Sequence, residues 1–301
     1  MNLLNSDDLS ERDIAEIFRI ADRLSQNGRG LRLPTHATVA MLFQKPSTRT
    51  RISFAAAIAQ LGGEPIYVDA DKSQLSRGET VADTAKMLGS YCNIIVARLN
   101  KHEDIKELAV NSGVPVINAL TDLEHPTQAL TDIYTVRAHT KELSKARLCF
   151  IGDIAANTAN SLMITAAKCG VHVSLVGPHG YRPNPVMLNK ARSYGSVDVY
   201  DDIERGLSGC DFVYTDTFVS MGQEEEAEAR KRRFAPYQLN DRTLSMAKPG
   251  ALVMHCLPAH RGEEITTDVI DGKQSIVWEQ ARNKLLIAKA VLVYISQHSK
   301  D

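Results

Sequence analysis

The sequence lacks several features that would place it in a specialised class of protein. No stretch of its 301 residues approaches the ~20 consecutive apolar residues that a membrane span needs. Its 35 Lys and Arg nearly cancel its 36 Asp and Glu, which removes any general attraction to nucleic acid or to an anionic membrane. The N-terminus has neither a basic region nor a long apolar run, so we expect a cytoplasmic protein.

Cysteines are few and widely separated. There are five, an odd number, and no two are spaced as C-x-x-C, so the sequence indicates neither a disulfide framework nor a standard zinc site. His255, Cys256 and His260 come nearest to a metal-binding set, but a fourth ligand at a persuasive spacing is missing. The glycine-rich turn of dinucleotide-binding proteins is also missing, because the segment after the strand Arg147–Gly152 reads GDIAAN. Neither a metal nor a cofactor is indicated.

Short β-rich runs alternate with helical periodicity along the whole chain. This pattern predicts an α/β protein with two doubly wound parallel-sheet domains and an active site in the cleft between them. We place the domains at 1–139 and 146–282, on either side of the polar stretch Thr140–Lys145. A C-terminal helix over 283–298 is expected to pack back on the first domain, and the charged stretch Gln223–Arg233 is interpreted as a loop and a candidate lid.

A short basic stretch, Lys45–Arg51, lies between a predicted strand, Ala37–Phe43, and a predicted helix, Ser53–Leu61. The first N–H groups of a helix have no intrahelical partner, and the helix dipole favours negative charge there. The hydroxyl and guanidinium groups of the stretch add further donors for a phosphate-sized anion. Taken alone, the stretch fits an ordinary helix cap equally well.

Further polar side chains follow the other predicted strands. Arg98 could be a surface ion-pair partner, His125-Pro126 a helix entry, and Cys256 a core thiol. Their shared location at the carboxyl ends of strands favours a ligand site instead. The residues concerned are Arg98, His125-Pro126-Thr127-Gln128, Asp153 and Asn157, Asp216 with Ser220-Met221-Gly222, and His255-Cys256-Leu257-Pro258.

These motifs, in this order, resemble those of the ornithine carbamoyltransferase family over essentially the whole chain. Ser47-Thr48-Arg49-Thr50 and His125-Pro126-Thr127-Gln128 resemble the elements shared with the wider carbamoyltransferase superfamily. The Ser220-Met221-Gly222 and His255-Cys256-Leu257-Pro258 segments are similar to those of the ornithine-specific enzymes. The resemblance implies carbamoyl transfer from carbamoyl phosphate to L-ornithine, giving L-citrulline in arginine biosynthesis or related metabolism.

The resemblance also implies which residues form the site. Arg98, His125, Asp216 and Cys256 would be catalytic. Ornithine would contact Asn157, Asp216, Ser220 and Met221, with Cys256 orienting or deprotonating its side-chain amine. Carbamoyl phosphate would contact Ser47, Thr48, Arg49, Thr50, Gln74, Arg98, His125, Gln128, Cys256, Leu257 and Lys284. A homotrimer or a multiple of trimers is implied, with Gln74 reaching the phosphate site of a neighbouring subunit.

One position departs from the family pattern. Where the family usually reads Ala-Glu-Asn-Arg, with an arginine that contacts carbamoyl phosphate, this chain reads Ala281-Arg282-Asn283-Lys284. Lysine carries the charge without the planar fork of arginine. Either Lys284 serves in its place, or Arg282 reaches in from the preceding turn, or the activity is reduced.

Three other functions compete with ornithine carbamoylation. A related transferase could use another amine such as putrescine, which differs from ornithine by lacking the α-carboxylate. A low-activity paralogue could bind carbamoyl phosphate without turning it over, and Lys284 alone supports that hypothesis. A dinucleotide-binding protein is disfavoured by the missing glycine-rich turn.

Overall fold

The polypeptide folds as two units that each contain one parallel β-sheet. The structure is a computed structural model and describes residues 1–26, 30–219 and 224–299. Unit 1 comprises Met1–Leu130 and Asn283–Asp301, and unit 2 comprises Thr131–Arg282. Every strand pair in both sheets is parallel, which confirms the fold class predicted from the sequence. The division falls inside a helix, and the domain ranges 1–139 and 146–282 remain a proposal.

Unit 1 contains a four-stranded sheet in the order β2-β1-β3-β4. The strands β1 and β3 are buried over nearly their whole length, as central parallel strands covered on both faces must be. In chain order its elements are α1 (Glu11–Gln26), β1 (Thr38–Phe43), α2 (Thr48–Gln60), β2 (Glu64–Asp69), α3 (Val81–Tyr91), β3 (Ile94–Arg98), α4 (His102–Ser112), β4 (Val116–Leu120) and α5 (Pro126–Ala138), which continues into unit 2.

The register of this sheet gathers the polar side chains at one edge. Phe43 pairs with Arg98, and Arg98 pairs with Leu120, so β1, β3 and β4 end together. The segments that follow these ends carry Ser47 and His125. Parallel pairing therefore places the basic turn, Arg98 and the His125 loop at the same edge of unit 1.

Unit 2 contains a five-stranded sheet in the order β7-β6-β5-β8-β9. Ile151, Thr215 and His255 are in register, so β5, β8 and β9 end at the same edge of the sheet. The residues that follow these strand ends include Asp153, Asp216 and Cys256. In chain order its elements are β5 (Arg147–Ile151), α6 (Asn157–Lys168), β6 (His172–Val176), α7 (Pro185–Tyr194), β7 (Val197–Tyr200), α8 (Ile203–Leu207), β8 (Phe212–Thr215), α9 (Ala227–Phe234), α10 (Asp241–Leu244), β9 (Leu252–His255), α11 (Thr267–Ile270) and α12 (Val277–Gln297), which ends in unit 1.

Three predictions about helices were wrong. The helix predicted at Ser53–Leu61 begins at Thr48, so the basic stretch forms its first turn. The charged stretch predicted as a loop contains α9, because its residues Ala227–Phe234 are mostly strong helix formers. The C-terminal helix predicted over 283–298 begins at Val277 and ends at Gln297.

Each unit has its own hydrophobic core, and one glycine allows two helices of unit 1 to pack closely. A side chain at Gly89 of α3 would place its Cβ 1.7 Å from the backbone oxygen of Ser112 in α4.

The five cysteines are free thiols, three of them buried, with Cys169 and Cys256 partly exposed. Burial of Cys92 and Cys149 matches their apolar sequence context.

Candidate active site

The basic stretch forms the positive end of α2. Ser47 is the N-cap residue in an extended conformation, but its hydroxyl makes no capping hydrogen bond. The first turn contains no acidic side chain, so no carboxylate of the helix itself offsets the helix dipole there. An ordinary side-chain cap therefore does not describe Ser47, and the turn retains the donors that an anion requires.

The side chains of this turn divide between solvent and a neighbouring cavity. Thr48 and Arg49 are exposed, whereas Thr50 is buried. The Arg51 guanidinium lies 3.5 Å from the centre of the Tyr67 ring, a cation–π contact. A cavity of about 700 Å³ beside the turn is lined in part by Lys45, Ser47, Thr48, Arg51, Asp69, Asp71 and Lys72. Both guanidinium groups of this turn, Arg49 and Arg51, are exposed, and Arg51 is the one that lines the cavity.

His125 is a buried neutral imidazole at the start of α5. Burial, followed by the positive charges of Lys284 and Arg98, holds the pKa of His125 well below its usual range. The Thr127 hydroxyl lies 3.4 Å from its Nδ1. A neutral imidazole offers one N–H donor and one acceptor. His125 can therefore donate to a carbonyl oxygen without carrying charge.

Lys284 is close enough to His125 for its charge to lower the pKa of the imidazole. Its side chain is buried, and its ammonium group donates a hydrogen bond to the Gln128 Oε1 atom. Arg282 is exposed, as its position two residues earlier, about 200° around the same helix, requires. The cation that stands beside His125 and Gln128 is therefore Lys284 and not Arg282.

Arg98 is also buried, which excludes the surface ion pair considered from the sequence.

The loop that carries His125 is held by residues that the sequence analysis missed. The buried Glu124 accepts a hydrogen bond from the Ser6 backbone N–H at 2.7 Å. The His102 ring lies between Thr121 Oγ1 and Asn5 Oδ1, at 2.9 Å from each. The N-terminal segment thus supports this loop, although more than a hundred residues separate Ser6 from Glu124. No local sequence pattern reveals such a contact.

Asp216 and Asn157 lie at the corresponding edge of unit 2. Asp216 follows β8 and is largely buried. One carboxylate oxygen accepts from the Thr158 hydroxyl at 2.7 Å, and the other accepts from the Thr217 backbone N–H at 2.8 Å. Asn157 is the first residue of α6. The carboxylate is therefore fixed in place next to a helix N-terminus.

Cys256 stands beside Asp216 at the end of β9. Burial raises the pKa of the Cys256 thiol well above its usual range, and the negative charges of Asp216 and Asp132 raise it further. The neighbouring Leu257 has a left-handed backbone conformation, with φ of 59°. Its backbone N–H donates to His255 Nδ1 at 2.9 Å. Residues 255–257 thus form a tight turn that presents the thiol.

Two clusters of potential metal ligands occur in the described residues, and hydrogen bonds and ion pairs account for both. The ligand atoms of Asp216, His255 and Cys256 lie within 4.8 Å of one another. Both ring nitrogens of His255 are engaged, since Nδ1 accepts from Leu257 and Nε2 lies 3.1 Å from Glu264 Oε1. The second cluster is His260, Glu263 and Glu264, in which Glu263 pairs with Lys231 at 2.8 Å.

A buried ion pair supports the segment that leads to the Ser-Met-Gly residues. Arg230 of α9 pairs with Asp153, and its Nε donates to the Phe218 backbone oxygen at 2.9 Å. The predicted ornithine contacts Ser220 and Met221 lie outside the described residues. Arg230 was missed because a charged stretch is usually a solvated surface.

Gln74 begins a short 3-10 helix, Gln74–Arg77, and its side chain is exposed. The structure thus brings Arg98, His125, Gln128 and Lys284 together in unit 1, with the basic turn at the same sheet edge. In unit 2 it brings Asp216 and Cys256 together.

Two family models match nearly the whole chain. The carbamoyl-phosphate-binding domain of aspartate/ornithine carbamoyltransferases matches residues 1–138. The Asp/Orn-binding domain of the same family matches residues 144–295.

Individual proteins and solved structures are similar over comparable lengths. An anabolic ornithine carbamoyltransferase of Pyrococcus furiosus is 44% identical over 94% of this chain and 90% of its own. The ornithine carbamoyltransferase of Bacillus subtilis is 44% identical over 100% of this chain and 96% of its own. The solved Pyrococcus furiosus ornithine carbamoyltransferase superposes with a TM-score of 0.93 at 43% identity, covering 99% of this chain and 98% of that one.

Proposed function

The chain belongs to the aspartate/ornithine carbamoyltransferase family, and we propose that it transfers the carbamoyl group of carbamoyl phosphate to L-ornithine, giving L-citrulline and phosphate. The observation that carries the proposal is a buried neutral His125 beside the cations Arg98 and Lys284. The ornithine carbamoyltransferases among its relatives favour ornithine over putrescine and an active enzyme over a silent paralogue.

Carbamoyl phosphate has two features to recognise, a phosphate group and a carbonyl. Ser47, Thr48, Arg49 and Thr50 hold the phosphate at the N-terminus of α2, where backbone N–H groups and hydroxyls supply donors. Arg98 bridges phosphate and carbonyl oxygen. Lys284 supplies the charge that the family's usual arginine provides, and Gln128 retains a second lone pair on Oε1 for the carbamoyl NH₂.

The reaction needs no covalent nucleophile. The neutral amine of ornithine attacks the carbonyl carbon, negative charge develops on the carbonyl oxygen, and the carbon–oxygen bond to phosphate breaks. Arg98, Lys284 and His125 stabilise that oxygen, and His125 donates as a neutral group. The departing phosphate takes up the proton that the amine loses, so His125 need not act as a base.

Unit 2 binds the amino acid. Asp216 and Asn157, together with Ser220 and Met221, bind the α-amino and α-carboxylate end, and Cys256 contacts the side-chain amine. The fixed geometry of Asp216, which accepts hydrogen bonds from Thr158 and Thr217, supports this role. That both substrates meet in one cleft is a prediction of the family resemblance.

A homotrimer in the cytoplasm completes the proposal. Exposed apolar side chains on unit 1 would be covered by assembly, including Ile52 at 60% and Tyr91 at 73% exposure. Gln74 is exposed and so available to a neighbouring subunit. Of the helices in the described ranges, none has the length and apolar character that a membrane crossing requires. The anabolic relative favours a biosynthetic direction.

A product assay tests the proposal. Purified protein is incubated with carbamoyl phosphate and, in separate reactions, ornithine, putrescine or aspartate, and the carbamoylated product is quantified. We expect citrulline from ornithine and at most traces from the other amines. Preferential carbamoylation of putrescine contradicts the proposal. Calorimetric binding of carbamoyl phosphate without any product would instead support a silent paralogue.

A further inference from the structure

Two buried polar side chains connect α5 and α12 to the turn that carries Cys256. Gln280 of α12 donates from Nε2 to the Asp132 Oδ1 atom at 2.7 Å. Its Oε1 accepts from the His255 backbone N–H at 3.0 Å. Asp132 and Gln280 are each 1% exposed. This Asp132–Gln280 pair has no place in the roles assigned so far.

The pair fixes the backbone at the end of β9. The oxygen of the Gln280 side-chain amide accepts from His255, and its nitrogen donates to Asp132. The two hydrogen bonds together determine the orientation of the amide. The His255 ring is held in turn by Leu257 and Glu264. The backbone on both sides of Cys256 is therefore restrained before any substrate binds.

The pair also brings a carboxylate close to the thiol. The titratable groups around Cys256 are Asp132 on α5, Asp216 after β8, Tyr214 on β8 and His255 on β9. Tyr214 is fully buried, and burial, followed by the charge of Asp132, raises the pKa of its hydroxyl well above its usual range. Burial, and then the charges of Asp216 and Asp132, raise the pKa of the thiol and so oppose a thiolate, whereas a hydrogen bond with Tyr214 lowers it in part.

We propose that the Asp132–Gln280 pair is a positioning device that holds residues 255–257 in place and keeps Cys256 a thiol directed at Asp216. The inference rests on the proposed function for its catalytic meaning. A thiol that donates to Asp216 has no lone pair of thiolate character to accept an ammonium proton. Cys256 therefore orients the neutral amine of ornithine and does not deprotonate it.

The protonation state of Cys256 can be measured without substrate. The protein is alkylated with iodoacetamide from neutral to alkaline pH, and modification of the Cys256 peptide is followed by mass spectrometry. In the wild-type protein the rate should reach half its maximum above pH ~8.5, the ordinary cysteine value. In Asp132→Asn, which keeps an acceptor for Gln280, the midpoint should fall by about half a unit or more. The exposed Asp268→Asn is the matched control and should leave the midpoint unchanged.

A wild-type midpoint below the ordinary value, or an Asp132→Asn midpoint equal to that of the wild type, overturns the proposal. The wild-type midpoint can be measured even if Asp132→Asn does not fold.

Kinetics test the positioning role separately. Gln280→Met keeps the length of the side chain and removes both hydrogen bonds. We expect kcat/KM for ornithine to fall about tenfold, with KM for carbamoyl phosphate within about twofold. If KM for carbamoyl phosphate rises by the same factor by which kcat/KM for ornithine falls, the positioning role is overturned. A protein that makes no citrulline would refute the proposed function, while the alkylation profile would still decide the state of Cys256.

Discussion

Lys284 donates a hydrogen bond from its ammonium group to the side-chain oxygen of Gln128, although 156 residues separate them in the chain. Both side chains are buried in unit 1, and the charge of Lys284 acts on His125. Arg282, two residues earlier on the same helix, is exposed, so of these two basic residues only Lys284 lies beside Gln128. In the proposed function, Lys284 supplies the charge of the family's usual arginine, with one point donor in place of a fork.

Removing this charge should weaken carbamoyl phosphate binding. A charge-assisted hydrogen bond contributes about 1.5–3 kcal/mol, so Lys284→Met should raise KM for carbamoyl phosphate by roughly 10- to 150-fold. Lys284→Arg restores the charge and should stay within about fivefold of wild type. Arg282→Met is the control and should change KM by less than about twofold. Steady-state kinetics would contradict this assignment if Arg282→Met had the larger effect.

Arg49 should contribute to phosphate binding through its place in the first turn of α2. Arg49→Ala removes one guanidinium donor at a helix N-terminus, and we expect kcat/KM for carbamoyl phosphate to fall by about a hundredfold. Arg12→Ala is a matched control, since Arg12 is exposed at the same position in the first turn of α1. Titration calorimetry with inorganic phosphate provides an independent measurement. Equal phosphate affinity in the two variants would refute the anion site.

The buried Arg230–Asp153 pair should stabilise unit 2. Removing Arg230 leaves the Asp153 carboxylate buried without its cation, so Arg230→Met should lower the free energy of unfolding by about 3–5 kcal/mol. Burial already raises the pKa of Asp153, and without Arg230 the carboxyl should protonate more readily. The deficit measured by urea unfolding should therefore be smaller at acid than at alkaline pH. The double variant with Asp153→Asn should recover part of the loss, and no recovery would argue against a direct pair.

His102 should make stability fall on acidification. Burial lowers the pKa of His102 in the folded state, whereas the unfolded chain titrates near ~6.5. Below that pH the unfolded state binds a proton that the folded state resists, so the unfolding free energy decreases by up to ~1.4 kcal/mol per pH unit. The contribution is fully present above ~6.5 and is lost as pH falls toward the folded pKa.

Urea unfolding on both sides of this pH gives the measurement. His102→Asn should show a shallower slope than the wild type, because one proton-linked group is gone. His179→Asn, at an exposed position, should keep the wild-type slope. Identical slopes in all three proteins would exclude His102 as the source.

Much of the fold followed from the sequence because both sheets are parallel and buried. Central strands such as β3 and β5 are continuous apolar runs, and their recurrence between helical segments determines the α/β class. The short strands β2 and β7 were not predicted. β2 is only partly buried, and β7 has a single fully buried residue, so neither has a strong apolar signal.

The candidate site, like the fold, could be predicted from the sequence only in part. Ser47, Arg98, His125, Asp216 and Cys256 could be named from the sequence because each follows a strand or begins a helix. Their supporting residues are distant in the chain and belong to no local pattern, as Ser6 with Glu124 and Gln280 with Asp132 illustrate. Arg230 was not predicted, because the charged stretch that contains it suggested a solvent-exposed surface, whereas its side chain is paired and buried.

The sequence by itself determined the family, the two-sheet fold and the chemical groups of the proposed site, because residue types and strand-end positions are local properties. Only the tertiary structure decided which groups are charged and which are positioned. Burial beside two cations makes His125 a neutral donor, and burial beside two carboxylates raises the pKa of Cys256. The hydrogen bond between α12 and α5 places Lys284, and not the exposed Arg282, beside Gln128. Desolvation and charge at close range depend on neighbours that the chain brings together only when it folds.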